Sequence, residues 1–224
     1  MNWLMVIAGG VGYLLGSLPF GYIVARAHGV DIFKEGSGNP GATNVKRVLG
    51  EKFGAKGKRA GNLVFVLDAV KGAAAAGWPM LDRVLTEWKW HYFPELPKPD
   101  WAVMSVIGLV AAVLGHSFSI FTKFKGGKGV ATAAGGVVVL MPIPCLIGVA
   151  AWIVTFFITR YVSLGSILAA VVVPTAGWIM GYSMPLNIVV TLLGLFVIVR
   201  HRENLKRLVA GTESKFARKP PVRP

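Results

Sequence analysis

Acidic side chains are scarce in this sequence, cysteine is nearly missing, and long polar stretches are few. Each shortage removes a class of chemistry. There are four aspartates, Asp31, Asp68, Asp82 and Asp100, and they do not cluster, so a magnesium–carboxylate centre is not expected. None of the four histidines pairs with another at metal-ligand spacing. Cys145 stands alone, which leaves no internal disulfide and no thiolate cluster. A Gly-x-Ser-x-Gly nucleophile elbow is missing as well. The chain is therefore expected to work without metal or cofactor.

What is abundant is apolar sequence. Hydrophobic residues make up 54% of the 224 positions and charged residues 15%, too apolar for a soluble domain. A spanning helix needs about 20 apolar residues, fewer when it is short. Residues 3–25 carry no charge, residues 62–81 carry only Asp68 and Lys71, and residues 101–122 carry none besides His116. From Gly129 to Val199 the one charged residue is Arg160. Prolines, serines and glycines at 142–144, 163–165 and 183–185 divide that block into 129–141, 143–160, 163–182 and 184–200. The sequence thus predicts an all-α polytopic membrane protein with seven spans, the 129–141 piece being the shortest.

Charge sets the orientation. No Lys or Arg precedes Arg26, and basic residues follow the first apolar run, which argues against a cleaved signal peptide and places the N-terminus outside. The segments 26–60, 123–128 and 200–224, together with Arg160, then face the cytoplasm and hold 20 of the 24 basic residues. The longest outward segment, 82–100, balances Arg83, Lys89 and Lys98 against Asp82, Glu87, Glu95 and Asp100. Trp3, Trp78, Trp101, Trp178 and Tyr182 fall at the predicted outer interface. The net charge of +14 reads as topology plus affinity for anionic lipid, and no nucleic-acid partner is expected. Residues 1–211 form one integral membrane domain, and the basic, Pro-containing tail 212–224 is expected to be disordered.

Three polar segments interrupt this design, all on the predicted cytoplasmic side. Gly36-Ser-Gly-Asn-Pro-Gly-Ala-Thr-Asn44 is too rich in glycine and proline for regular helix and is followed by Lys46 and Arg47. Its backbone amides, with Ser37, Asn39, Thr43 and Asn44, suit an anion, and Arg47 can grip a phosphate with two parallel hydrogen bonds. Lys123-Phe-Lys-Gly-Gly-Lys128-Gly129 runs into a helix near Val130, a ready anion site. It is not a nucleotide P-loop, because Gly129 stands where Ser or Thr is required. In His201-Arg-Glu-Asn-Leu-Lys-Arg-Leu208, His201 and Asn204 share a face if the last span continues as helix. Glu203 reads there as an ion-pair partner. On the second span, Asp68 and Lys71 stand three residues apart; they either neutralise each other or touch a substrate. Such a site suits phosphate binding and stabilisation of developing negative charge. A transporter for anionic metabolites is the other class, but it would place its polar groups near the midplane between repeats, and no repeat is present.

The runs Ser17-Leu-Pro-Phe-Gly-Tyr, Gly36 to Asn44, Asp68-x-x-Lys-Gly72, Gly115-His-Ser-Phe, Lys125-Gly-Gly-Lys-Gly-Val-Ala-Thr132 and His201 to Leu208 together resemble the bacterial PlsY-type glycerol-3-phosphate acyltransferases. The His-x4-Asp signature of the common glycerolipid acyltransferases is missing. The resemblance implies seven spans with the N-terminus outside, in the bacterial inner membrane with the active site facing the cytoplasm. It implies transfer of an acyl group from acyl phosphate to the 1-hydroxyl of glycerol 3-phosphate, yielding lysophosphatidic acid, by a monomer surrounded by membrane lipid. Carried over by motif, Ser37, Arg47, Lys128, His201 and Asn204 are the catalytic candidates. Gly36, Gly38, Asn39, Gly41, Thr43, Asn44, Asp68, Lys71, Gly126, Gly127, Gly129 and Glu203 are the substrate-binding candidates. Within that frame, Lys128 and the glycine amides take the donor phosphate and oxyanion, and Arg47, Ser37, His201 and Asn204 orient glycerol 3-phosphate. The general base is either His201 or a phosphate oxygen of the substrate. The 82–100 segment is longer and richer in Trp than expected of the family.

Overall fold

The computed structural model describes residues 2–92 and 99–216, and the regular structure among them is helical. Two compact bodies emerge, Met1–Pro142 and Ile143–Pro224. Five helical stretches are long and apolar enough to cross a membrane, and a sixth joins them if the bent pair at the C-terminal end counts as one span. The exterior is apolar, as a lipid solvent selects: Leu63, Phe65, Val66 and Val70 are exposed on the same helix that buries Asp68 and Lys71.

In the first body, helix α1 (Asn2–Ser17) is followed by α2 (Phe20–Ala27), a short break within the expected span 3–25, and Trp3–Ala27 together still counts as one candidate span. Pro19 lacks an N–H and pushes Leu18 out of helical geometry, which explains the break. Residues 28–41 lead to α3 (Ala42–Tyr92), which reverses direction at Gly54, where φ is +58°. The short arm 42–53 therefore folds back on the long arm 55–92. An added Cβ on Gly57 would overlap the Leu49 carbonyl, and one on Gly61 would overlap the Lys46 backbone, so only glycine permits this approach. The segment 26–60, expected as a cytoplasmic connector, thus contains a helical hairpin. The long arm also continues through Tyr92, so the first part of the expected outer loop 82–100 is helix. Glu95 and Lys98 lie outside the described residues.

α4 (Trp101–Ser117) packs between α1 and the long arm of α3. Gly12 lies against Gly108 and Gly16 against Ala112, so α1 and α4 run parallel, and Gly108 faces the Ala75 carbonyl on its other side. Small residues let these backbones approach closely, as in membrane helix packing generally. α5 (Val130–Leu140) has 11 residues, about 16 Å of helix, and packs against α3 through Gly72 and Gly135. It is shorter than a full span, matching the shortness noted for 129–141.

The second body is an up-and-down set: α6 (Pro142–Thr159), α7 (Val162–Ile179) and α8 (Met184–Arg200). Trp152 meets Ser166, and Trp178 donates to Thr191, which makes each successive pair antiparallel. α9 (Arg202–Val209) departs from α8 at 56°. The face-sharing expected for His201 and Asn204 on a continuous helix therefore gives way to a bend at His201, whose φ and ψ are −97° and 7°. Residues 212–216 are anchored: the Phe216 amide donates to the Arg160 carbonyl, and its ring packs edge-on against Phe156. Residues 217–224 of the expected tail lie outside the described residues.

Candidate active site

The first body gathers two of the three polar segments. Residues 36–41 form an open loop in which Gly36 and Gly38 adopt φ of +58° and +66°, the left-handed region that glycine accepts freely. Its conformation is set by Asn44, which is buried at the start of α3. Asn44 Oδ1 accepts from the Ser37 amide at 3.0 Å and from Arg47 Nη2 at 2.7 Å, while its Nδ2 donates to the Glu35 carbonyl at 3.0 Å. One side chain thereby fixes both the loop backbone and the guanidinium. Asn39 closes a local turn by accepting from the Gly41 amide at 2.8 Å. The Ser37 and Thr43 side chains face outward, and Arg47 is half-buried.

The second segment is a tight turn after α4. Ser119 Oγ donates to the Ser17 carbonyl at 2.6 Å, tying the turn to the end of α1. Lys123 and Phe124 are both at positive φ, and Thr122 Oγ1 donates to the Lys125 carbonyl at 2.6 Å. Gly126 and Gly127 then lie directly on the end of α4. An added Cβ on Gly126 would overlap the His116 carbonyl, and one on Gly127 would overlap His116 Nε2. The Gly127 amide donates to the His116 carbonyl at 3.1 Å, so it is engaged within the protein. Gly129, at φ +82°, precedes the first residue of α5, and Lys128, between Gly127 and Gly129, is half-buried.

Beneath this turn lies a buried polar chain. Lys71 Nζ is 2.8 Å from Asp68 Oδ1 and donates at 2.8 Å to the Leu18 carbonyl at the α1–α2 break. His116 Nδ1 stands 3.5 Å from the same Asp68 oxygen. Asp68 and Lys71 thus neutralise each other, one of the two roles open at the sequence level. A single cleft is lined by Pro40 from the first loop, Lys125, Gly126 and Gly127 from the second, and Lys71 and His116 below. Segments more than 80 residues apart are brought together here, because Gly21 in α2 leaves room for the Pro40 carbonyl.

In the second body, His201 is buried at the α8–α9 bend, and its Nδ1 lies 2.8 Å from the Val197 carbonyl. A carbonyl only accepts, so Nδ1 carries the hydrogen and the lone pair of the neutral ring is on Nε2. Asn204 Nδ2 donates to Glu213 Oε1 at 2.6 Å; Ser163 Oγ donates to the same oxygen at 2.6 Å, and Arg207 Nε to Oε2 at 2.7 Å. Burial alone would raise the Glu213 pKa, but these three donors outweigh it and hold the carboxyl below its ordinary value. Glu203 is exposed and pairs with Arg202 and Lys206.

Comparison with known proteins identifies the family. The family model described as glycerol-3-phosphate acyltransferase matches residues 5–211. The chain belongs to the glycerol-3-phosphate acyltransferase family. The glycerol-3-phosphate acyltransferase of Trichlorobacter lovleyi is 42% identical over 204 residues, covering 91% of this chain and 93% of the relative. That of Aquifex aeolicus is 40% identical, covering 91% and 95%. Among solved structures, the glycerol 3-phosphate form of PlsY, an integral membrane glycerol 3-phosphate acyltransferase, superposes with a TM-score of 0.80. It is 36% identical and covers 95% of this chain and 96% of that one. The lysophosphatidic acid form of PlsY gives a TM-score of 0.77 at 37% identity, covering 95% of each chain.

His116 and Glu213, at the centre of two of these networks, were not singled out from sequence. His116 read as an isolated polar residue near the end of an apolar span. Glu213 read as part of a basic tail. The one sequence-level signal for His116 was its place in Gly115-His-Ser-Phe, four residues from a turn that only the fold brings back over it.

Proposed function

We propose that this chain is a seven-span enzyme of the bacterial inner membrane that moves a fatty acyl group from acyl phosphate to the 1-hydroxyl of glycerol 3-phosphate. The products are lysophosphatidic acid and inorganic phosphate, the first step of phospholipid synthesis. The observation that carries the reading is the cleft in which the Pro40 loop and the Gly126–Gly127 turn meet with Lys125 at its edge. Glycine-rich backbone with cations at its edge suits phosphoryl groups, and the family supplies the identity of the substrate.

The topology of the proposal counts α1 with α2 as one span and α5 as the short seventh. Parallel α1 and α4 support it, since both then descend from outside and deliver the 28–41 loop and the glycine turn to one side. That side carries the basic excess, which makes it cytoplasmic.

The chemistry needs no covalent intermediate. The substrate hydroxyl oxygen attacks the acyl carbonyl carbon and forms the ester bond. The bond from that carbon to the phosphate oxygen breaks, and phosphate leaves with the electron pair. The hydroxyl proton passes to His201 Nε2 or to a phosphate oxygen. Arg47, Lys128, Ser37 and Asn204 hold the phosphoryl groups and the hydroxyl in line, and cationic donors offset the oxyanion charge. Purified protein given acyl phosphate and glycerol 3-phosphate releases phosphate and forms lysophosphatidic acid in equal amounts. Phosphate release that does not depend on glycerol 3-phosphate, or turnover only with an acyl thioester, overturns the proposal.

A further inference from the structure

The buried polar chain under the glycine turn has no role in the chemistry just described, yet its geometry is specific. It runs from the Leu18 carbonyl through Lys71 and Asp68 to His116, with 2.8 Å, 2.8 Å and 3.5 Å between successive groups. The His116 side chain is 9% exposed. Its Nε2 fills the space that a Gly127 Cβ would need, and its backbone carbonyl accepts from the Gly127 amide at 3.1 Å. The ring is thus held between a carboxylate on one side and the turn on the other. A buried ion pair is stabilising only when its remaining hydrogen-bonding capacity is met, and here it is met by the α1–α2 break at one end and the imidazole at the other.

We infer that His116 is a positioning residue: oriented by Asp68, its ring is the floor on which Gly127 rests, beside Gly126 on the backbone of His116 and Ser117, and it thereby sets where Lys128 stands. The Asp68–Lys71 pair acts through His116 and makes no contact with substrate. Gly127 is required because the imidazole occupies its side-chain position, not because its amide is offered to a ligand. This inference rests on the reading that the glycine turn binds a substrate phosphoryl group.

The test is a double-mutant cycle on the full chain in detergent, with Gly127→Ala, His116→Ala and the two combined. KM for glycerol 3-phosphate and for acyl phosphate, kcat and the unfolding midpoint are measured for each. His116→Ala is expected to raise one KM at least tenfold with a smaller change in kcat, because the turn is displaced and the reacting groups are not. Gly127→Ala is expected to be as severe. The combined variant should be no worse than Gly127→Ala alone, because the added methyl finds room once the ring is gone. Losses that multiply overturn the inference, as does a His116→Ala enzyme with both KM values unchanged. His116→Asn replaces His116→Ala if the alanine variant does not fold, and the same pattern is read. Wild-type turnover is measured first. If wild type shows none, the proposed function fails by itself, and the cycle is read on unfolding midpoints, where independent effects of Gly127→Ala and His116→Ala still overturn the strut.

Discussion

Arg47 does not point freely from its helix: its Nη2 donates to Asn44 Oδ1 at 2.7 Å, and the same oxygen accepts from the Ser37 amide. The guanidinium and the loop therefore share one anchor, and moving Asn44 moves both. Asn44→Ala is expected to lower kcat/KM by one to two orders of magnitude, on the order of 1–3 kcal/mol for donors left unpaired. Arg47→Lys should fail comparably, because a point charge cannot reproduce the planar fork. Steady-state kinetics on the two variants check this; an Asn44→Ala enzyme with wild-type kinetics removes the anchor from the account.

The Asp68–Lys71 pair is fully enclosed, so removing one partner strands the other. Asp68→Ala is expected to destabilise the protein by about 3–5 kcal/mol. Replacing both, Asp68→Leu with Lys71→Met, should recover a substantial part of that loss, because no charge remains unpaired. Thermal unfolding in detergent separates the outcomes, and equal midpoints for the single and double variants would contradict the pairing.

Glu213 links α7, α9 and the anchored segment 212–216 through Ser163, Asn204 and Arg207. Its pKa lies below the ordinary value of 4.5, so it contributes stability that is complete above that pH and fades as pH falls through the lowered folded value. Wild-type unfolding midpoints should therefore drop on acidification below about 4.5. Glu213→Gln should start lower at neutral pH and show a shallower acid limb. Parallel pH profiles for the two proteins would remove Glu213 as the source.

His201 holds its ring by Nδ1 and Val197, which leaves the base question to Nε2. If His201 accepts the hydroxyl proton, His201→Gln should lower kcat by about 10²-fold or more and remove the fall in rate at low pH that protonation of the base causes. If a phosphate oxygen accepts it, His201→Gln keeps turnover within a few-fold and changes mainly KM. The kcat–pH profile of this one variant decides between the two.

Close helix packing offers a test that does not involve the site. Gly108 contacts Gly12 on one side and the Ala75 carbonyl on the other. Gly108→Leu should force these helices apart and abolish a monodisperse folded protein, while Gly10→Leu, where an added Cβ meets nothing within 4 Å, should be tolerated. Size-exclusion profiles in detergent compare them directly.

Much of this architecture could be read from the chain alone. Apolar run lengths fixed α4, α6, α7 and α8 to within a few residues, because a lipid solvent leaves helix as the one local way to satisfy the backbone. The glycine-rich loops and the helix start at Val130 were legible too, since glycine and proline act through local dihedrals. The reversal at Gly54, the helix running on to Tyr92 and the bend at His201 were not, because each depends on which neighbour a segment finds. The same holds for the site. Residue type marked Arg47, Lys128 and Asn44 as phosphate-suited groups, but nothing in the sequence says that Asn44 holds Arg47, that His116 lies under Gly127, or that Glu213 returns to Asn204. Those are contacts between groups whose chemistry is common to many surfaces, and their geometry depends on loops and bends that the fold sets. The close approaches of Gly21 to the Pro40 carbonyl, Gly108 to the Ala75 carbonyl and Gly127 to the His116 ring help to set these neighbours, and they are a property of the folded chain.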